Sequence, residues 1–323
     1  MADSPNLRGR EVTSDYEPSV DGGSIFGSVT SSVQDHVWEF GRRYHMYKYG
    51  RYPMPNDDEE FNRETLRHLM FKELLEGKLF LAPIGGSPQK IMDLGTGFGE
   101  WAIEIGEQFP SATVIGVDLS PIQPVWIPPN VEFIVDDIED EWVYANDFDY
   151  VHLRFVGNCI KDNSRLQQRI LHRNLKPGGW VEYQDWYLQT GSDDGSVPPG
   201  YAVQKLLMLC ADVFKTVYGF EPDYIGRLPA ELQRHGYHQV ERKVFNMPIG
   251  DWPTDPRQRT IGGYFREVLM NLAIAVAARP LVEYGMEKSE IDELVNAVRL
   301  ALSDRSIHAW VPMHFVWAQK PPT

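Results

Sequence analysis

The chain has 323 residues, of which 42% are hydrophobic and 24% charged, enough for one large domain or two small ones. Its formal net charge of −15 disfavours partners with anionic surfaces, such as nucleic acids and acidic membranes. No apolar run reaches the roughly 20 residues of a membrane-spanning helix, and the N-terminal sequence lacks the apolar centre of a secretory signal. The two cysteines, Cys159 and Cys210, are too few for a disulfide framework. We therefore expect a reducing compartment, the cytoplasm, with the nucleus as the alternative.

Residues 1–32 are rich in Ser, Gly, Asp and Pro and are predicted to be a disordered tail. Residues 33–323 are expected to form one domain, in which residues 33–82 make an N-terminal helical lid. Its first strong helix should begin near Asn56 and end at Gly77, because apolar residues recur there at helical spacing. Tyrosines alternate with Arg and Lys just before this helix. That pattern suits a lid, packing against a core, or a single-stranded nucleic-acid surface.

From Lys90 onward, short apolar strands alternate with helices, which predicts an α/β fold with a parallel sheet covered by helices on both faces. The strand segments begin with KIMDL and continue with TVIGVDLS, VEFIVDDI, FDYVHLRFV and WVEYQDWYL. We assign residues 88–190 to a cofactor-binding half. Residues 191–323 add helices and the last strands, and they are expected to cover the acceptor side of the carboxyl edge, where ligands of such sheets bind.

The turn after the first strand reads DLGTGFG, residues 93–99, and opens a helix. Glycines in such a turn let a ligand approach the backbone closely. Dinucleotide enzymes use the spacing GxGxxG, which would put Glu100 at the third glycine and against a pyrophosphate. A carboxylate is electrostatically wrong there. Asp93, by contrast, suits a cationic ligand such as S-adenosylmethionine, which has a sulfonium and an ammonium and no phosphate.

The next two strands also end in acids. Asp118 follows the second strand, where a carboxylate can accept hydrogen bonds from both ribose hydroxyls of either NAD or S-adenosylmethionine. Asp137 follows the third strand and can accept the adenine amino group, while Ile138 packs against the ring. Three strands in order, each ending in the expected polar group, predict a nucleoside-containing cofactor more strongly than the glycine turn alone.

These segments resemble the class I S-adenosylmethionine-dependent methyltransferases and, more narrowly, the LaeA-like methyltransferases of filamentous fungi. The resemblance covers about residues 36–320 and rests on GRRYHMYKYGRYPMPNDDEEFNR, IMDLGTGFGEWAIEIGEQFP, LKPGGWVEYQDW and HAWVPMHFVWAQKP, among others. It implies a Rossmann-like, doubly wound sheet of seven strands with the last strand antiparallel, and a helical insertion near the C-terminus. The predicted cofactor site consists of Tyr44, Asp93, Gly95, Thr96, Gly97, Gly99, Asp118, Leu119, Asp137, Ile138 and Arg154.

Two groups of this site are predicted from where they lie in the chain: the aromatic residues before the first strand, and Arg154. In the resembling enzymes, the segment before the first strand folds over the cofactor, so Tyr44, His45 and Tyr52 are candidates for stacking near the sulfonium. Such cation–π attraction is worth about 0.5–2 kcal/mol. Arg154, at the end of the fourth strand, is predicted to hold the cofactor carboxylate through a bidentate pair.

The catalytic group stays unassigned. His152, Glu182 and Asp185 are weak candidates for a base, and each has a structural role as its alternative. The sequence shows no obvious catalytic triad. This is consistent with methyl transfer, because the main requirement is to position the acceptor in line with the methyl group. No metal is predicted, since the nine histidines are scattered.

Two functions remain open at this point. The first is methyl transfer to a small-molecule acceptor in fungal secondary metabolism. The second is a LaeA-like regulator that acts through protein partners. Neither a nucleic acid nor a membrane is expected as a partner, whereas a protein partner or a homodimer is possible. A third function, NAD-dependent oxidation, is disfavoured by Glu100.

Overall fold

The computed structural model describes residues 35–142 and 146–322, so the predicted tail lies outside the described residues. A mixed sheet of seven strands forms its centre. In chain order the sheet strands are β3 (Lys90–Leu94), β4 (Thr113–Asp118), β5 (Val131–Val135), β6 (Phe148–Arg154), β7 (Leu175–Trp186), β8 (His238–Pro248) and β9 (Trp310–Gln319). Two short strands, β1 (His36–Glu39) and β2 (Arg42–His45), pair separately as an antiparallel hairpin.

Helices cover both faces of the sheet. They are α1 (Asp58–Leu74), α2 (Glu100–Gln108), α3 (Asn163–Arg169), α4 (Ala202–Thr216), α5 (Tyr224–His235), α6 (Pro256–Ala278), α7 (Pro280–Glu283) and α8 (Lys288–Ser303). Two hydrophobic clusters fill the space on either side of the strands. The core therefore has the three-layer arrangement that the alternating pattern predicts.

The strand order across the sheet is β5-β4-β3-β6-β7-β9-β8, and β9 runs antiparallel to both of its neighbours. This confirms the predicted doubly wound sheet of seven strands with an antiparallel last strand. The order reverses beside β3, because the chain first builds β4 and β5 on one side and then crosses to β6 on the other. Ligands of such sheets bind at the carboxyl ends of the strands next to this reversal.

The helix expected near Asn56 begins at Asp58, where the Asp57 side chain accepts a hydrogen bond from the Glu60 amide at 3.1 Å. This cap fixes the start of α1. Leu74 and Phe71 are buried on its inner side, where α1 packs against α6. The helix thus lies across the molecule at the level of the strand ends.

The prediction of a wholly helical lid over residues 33–82 needs correction, because residues 36–45 form the β1–β2 hairpin. Phe40 and Gly41 occupy the turn with φ of 53° and 76°, the left-handed pair of a two-residue hairpin loop. A bidentate ion pair from Arg42 to Asp57, with N–O distances of 2.6 and 2.7 Å, anchors the hairpin to the start of α1.

The strand β7 differs in extent from its prediction. Helix α3 ends at Arg169, and a π turn spans Ile170–Asn174. β7 then begins at Leu175 and includes Pro177, which cannot continue a helix. The strand is therefore longer than the segment WVEYQDWYL suggested.

The helix α6 has the length and composition of a membrane-spanning helix, contrary to the expectation that no apolar run is long enough. Half of its most apolar window is buried inside the protein, and the helix packs against α1 and β8. Buried core helices can have the same length and apolar composition, so this helix is weak evidence for a membrane. No other helix among the described residues meets the criterion.

A buried carboxylate joins the linker after α1 to the centre of the sheet. Glu182 on β7 accepts hydrogen bonds from the amides of Leu81 at 2.9 Å and Ala82 at 2.7 Å. The Tyr150 hydroxyl donates to the same carboxylate at 3.1 Å, and Gln184 donates from the neighbouring position at 2.9 Å. Burial raises the pKa of Glu182. The residue therefore works as a structural anchor between the linker and the sheet.

We expect Glu182→Ala to lower the free energy of unfolding by about 2–4 kcal/mol, because it leaves buried amides without an acceptor. Urea denaturation followed by circular dichroism measures this. Glu241→Ala, an exposed change on the outer strand β8, is the matched control and should shift stability by less than about 0.5 kcal/mol. Equal stability of the two variants would contradict the anchoring role.

Candidate functional site

A cleft of about 1170 Å³, its open mouth included, lies at the carboxyl ends of β3 to β6. Helix α1 covers it, and residues 51–56 close one side. Most of the predicted cofactor residues line this cleft, namely Asp93, Gly95, Thr96, Gly97, Asp118, Leu119, Asp137, Ile138 and Arg154. Tyr44 and Gly99 are not among its lining residues.

The glycine turn puts bare backbone against the cleft. Gly95 and Gly97 have φ of 70° and 57°, which favour glycine. A side chain on Gly95 would overlap Val156. Gly99 shapes the turn without lining the cleft: it caps α2 with φ of 84°, and the ring of Phe133 fills the space beside it. The turn therefore needs all three glycines, two of them beside the ligand space.

Asp118 connects the end of β4 to this turn. One carboxylate oxygen accepts from the Gly97 amide at 2.9 Å, and the other accepts from the Ser120 amide at 2.9 Å. Each oxygen keeps a lone pair for a further donor. Burial raises the pKa of Asp118 to about 6. This geometry leaves room for two hydroxyl donors, so the predicted role of Asp118 in binding a ribose is compatible with it.

The acid at the end of β5 is shared with two cations. Asp137 contacts Lys48 Nζ at 3.2 Å and Arg51 Nε at 3.0 Å, and Arg51 also pairs with Glu139. Lys48 makes a second pair with Asp140. We call this set of ion pairs the ionic strap. It fastens the segment before α1 to the acids that follow β5.

The three aromatic candidates of the lid occupy different places. Tyr52 lines the cleft. Tyr44 is fully buried below the guanidinium of Arg279, 5.2 Å from its ring centre, and lies outside the lining. His45 is also buried, and burial lowers its pKa to about 4. The hairpin turns both side chains into the core, so Tyr52 is the residue of the three whose position fits a lid role.

Arg154 is held by a residue that the sequence analysis did not select. Its Nη2 donates to His68 Nδ1 at 3.0 Å, and His68 Nε2 lies 3.1 Å from a Glu104 oxygen. Burial lowers the pKa of His68 to about 4, so the ring is neutral. Because Nδ1 accepts from Arg154, the ring proton belongs on Nε2, facing Glu104. His68 thus orients the guanidinium toward the cleft.

The weak base candidates lie behind the lining. His152 is fully buried, with Nδ1 2.7 Å from Asp93 and its ring stacked on Trp101 at 3.7 Å. Asp185 accepts from the Asn158 side chain and the Trp186 amide, each at 2.9 Å, and burial raises its pKa to about 7. Neither these two residues nor Glu182 lines the cleft, so their positions favour structural roles.

The lining fits a ligand with a ribose and a positive charge. Asp93 accepts from the Thr96 hydroxyl at 2.7 Å, and Glu100 accepts from Thr65 at 2.8 Å, so two carboxylates lie near the glycine turn. A pyrophosphate there would meet both of them. In the described part of the chain, no three His, Cys, Asp or Glu side chains are placed to hold a metal ion. S-adenosylmethionine fits this set of donors and charges.

Sequence reasoning missed the roof of the cleft. Glu60, Glu64, Arg67 and His68 of α1 line it, together with Phe155 after β6. The available signal was the spacing of these four charged or polar residues, which recur on one helical face.

Comparisons with known proteins agree with this geometry. Residues 66–197 match the family model of a methyltransferase domain. The methyltransferase pytC of Aspergillus terreus is 36% identical over 310 residues, which cover 94% of this chain and 94% of that protein. The secondary metabolism regulator LAE1 of Cochliobolus heterostrophus is 33% identical over 304 residues, covering 91% and 98%. The protein-methionine methyltransferase laeA of Emericella nidulans is 29% identical over 293 residues, covering 88% and 76%.

The affinity for S-adenosylhomocysteine should fall as the pH is lowered through about 6. Ribose hydroxyls donate to the ionised Asp118, so a carboxyl that is protonated in the free protein must lose its proton on binding. The expected loss between pH 7.5 and pH 5 is roughly tenfold. Calorimetry across this range measures it. Asp118→Asn should bind weakly at every pH, and a wild-type affinity that does not change would contradict the assignment.

Proposed function

The chain belongs to the LaeA-like methyltransferases, and we propose that it transfers a methyl group to a small-molecule acceptor of fungal secondary metabolism. Family membership confirms the predicted enzyme class and its cofactor, S-adenosylmethionine. The observation that carries the acceptor proposal is the apolar part of the cleft's lining. Besides the predicted cofactor residues, Tyr52, Phe155 and Ile160 line the cleft. Concave sites with such apolar walls suit small ligands.

The residues of this chain bind and orient the reactants. Asp118 is placed for the ribose, Asp137 and Ile138 for the adenine, and Arg154, held by His68, for the carboxylate. S-adenosylmethionine supplies an activated methyl group whose leaving group is a neutral thioether. Helix α1 and the segment behind the ionic strap exclude water from the reacting end. Positioning of this kind is worth roughly 7–11 kcal/mol in favourable cases.

The alternative is a regulator that acts through a protein partner. Trp38 on the hairpin is 68% exposed, and Val125 and Trp126 in the loop after β4 are 88% and 92% exposed. Large exposed apolar side chains are typical of protein-binding surfaces. Several relatives carry the name of secondary metabolism regulators. A regulator of this kind would act in the nucleus, whereas the enzyme would act in the cytoplasm.

Calorimetry should detect S-adenosylhomocysteine binding, and Asp118→Ala should weaken it by at least about tenfold, because two charge-assisted hydrogen bonds are lost. NAD should not compete. Asp292→Ala on the exposed face of α8 is the matched acidic control and should bind as the wild type does. A wild-type protein that fails to bind S-adenosylhomocysteine would contradict the proposed function.

A second experiment separates the enzyme from the regulator. Cells that express the wild-type chain should accumulate a metabolite heavier by one methyl group, detected by mass spectrometry of the extract. Cells that express Asp118→Ala should lack it, although both proteins are present in equal amounts. A methylated protein in place of a methylated metabolite would favour the regulator.

A further inference from the structure

A ladder of alternating charges lies on the face of α1 that roofs the cleft. Its members are Glu60, Arg63, Glu64 and Arg67, which follow each other at helical spacing. Arg63 donates twice to Glu60, at 3.0 and 2.5 Å, and also contacts Glu64. Glu64 in turn contacts Arg67. Glu60 is therefore paired with Arg63, whereas Glu64 is shared between Arg63 and Arg67.

Arg67 is the ladder's cation that faces the ligand space. It lines the cleft, and its guanidinium lies 3.9 Å from the ring centre of Phe155. Among the described residues, its hydrogen-bond partner is Glu64. A guanidinium has five N–H donors, so most of those on Arg67 are free for a ligand. Burial lowers the pKa of Arg67, as expected for a charge short of partners.

Arg67 lies near the end of β6, where Arg154 also lies. It stacks on Phe155, the residue that follows Arg154 along the chain. The predicted partner of Arg154 is the cofactor carboxylate, which needs one such cation. Arg67 is therefore available for a second anion in the cleft.

No carboxylate or imidazole of the described lining lacks a partner within this chain, because each accepts from a donor or pairs with a cation. These groups are Glu60 and Glu64 with Arg63, Asp93 with Thr96, Glu100 with Thr65, Asp118 with two amides, Asp136 with Tyr47, Asp137 with Arg51, and His68 with Arg154. The cleft therefore offers no unpartnered base to an acceptor that arrives with its proton.

We propose that the acceptor enters this cleft as an anion, the ionised oxygen of a carboxylic acid, phenol or enol, and that Arg67 binds that oxygen. This rests on the proposed function. The acceptor has lost its proton to solvent before it binds. Its oxygen then forms the bond to the methyl carbon while the carbon–sulfur bond breaks and its electron pair stays on sulfur. Arg67 stabilises the anion where water is excluded, and Phe155 packs against its apolar part.

The test uses benzoate and benzamide as matched probes, one anionic and one neutral, on the full chain saturated with S-adenosylhomocysteine. Calorimetry should show benzoate binding about tenfold more tightly than benzamide, because a charge-assisted hydrogen bond exceeds a neutral one. Arg67→Ala should abolish this preference, and Arg67→Lys should retain part of it. Arg227→Ala, which removes an exposed arginine of α5, should leave the preference unchanged.

The affinity of each variant for S-adenosylhomocysteine distinguishes the possible failures. Unchanged affinity shows that the fold and the cofactor site are intact. A tenfold loss of this affinity in Arg67→Ala would assign Arg67 to the cofactor and overturn the inference. A benzoate preference that is absent in the wild type, or that persists in Arg67→Ala, would also overturn it. A wild type that does not bind S-adenosylhomocysteine would overturn the proposed function, and the inference with it.

Discussion

The whole site depends on one half-buried carboxylate, Asp118, which accepts hydrogen bonds from two backbone amides at the end of β4. Asp118 holds the Gly97 and Ser120 amides, and so fixes the glycine turn relative to β4. The glycines of this turn have no side chains to hold it in place, and the Asp118 carboxylate supplies the hydrogen-bond acceptor that the Gly97 amide would otherwise find in water. The parallel strands β3 and β5 flank β4, and they bring Asp93 and Asp137 to the same edge of the sheet. Three neighbouring strand ends therefore carry acids that line one cleft.

The cofactor half could be predicted because its signals are local in sequence. A strand, its turn and its terminal acid lie within a few residues of each other, and parallel strands bring those ends together. The roof could not be predicted this way. Whether Glu60, Arg67 and His68 face solvent or the cleft depends on the orientation of α1 over the sheet. That orientation is set by distant contacts, such as the packing of α1 on α6.

The lid residues before α1 could not be placed from the sequence either. Alternating tyrosines and basic residues fit a helix, a strand or a binding surface equally well, and two residues of a turn decide between them. Gly41 closes the hairpin, and Arg42 then pairs with Asp57. This placement buries Tyr44 and leaves Tyr52 at the cleft. An aromatic residue's identity thus suggests a role, but the strand register determines which of several tyrosines can perform it.

Two ion pairs of the ionic strap differ in exposure, so salt should affect them unequally. Its inner pair, Arg51 with Asp137, has side chains only 14% and 6% exposed, whereas the outer pair, Lys48 with Asp140, is 31% and 53% exposed. Salt screens exposed pairs far more than buried ones. Rising ionic strength should therefore loosen the outer pair first, while the inner pair still holds the segment before α1 against the residues that follow β5. The attachment of this segment is thus graded: its exposed edge responds to salt before its buried edge does.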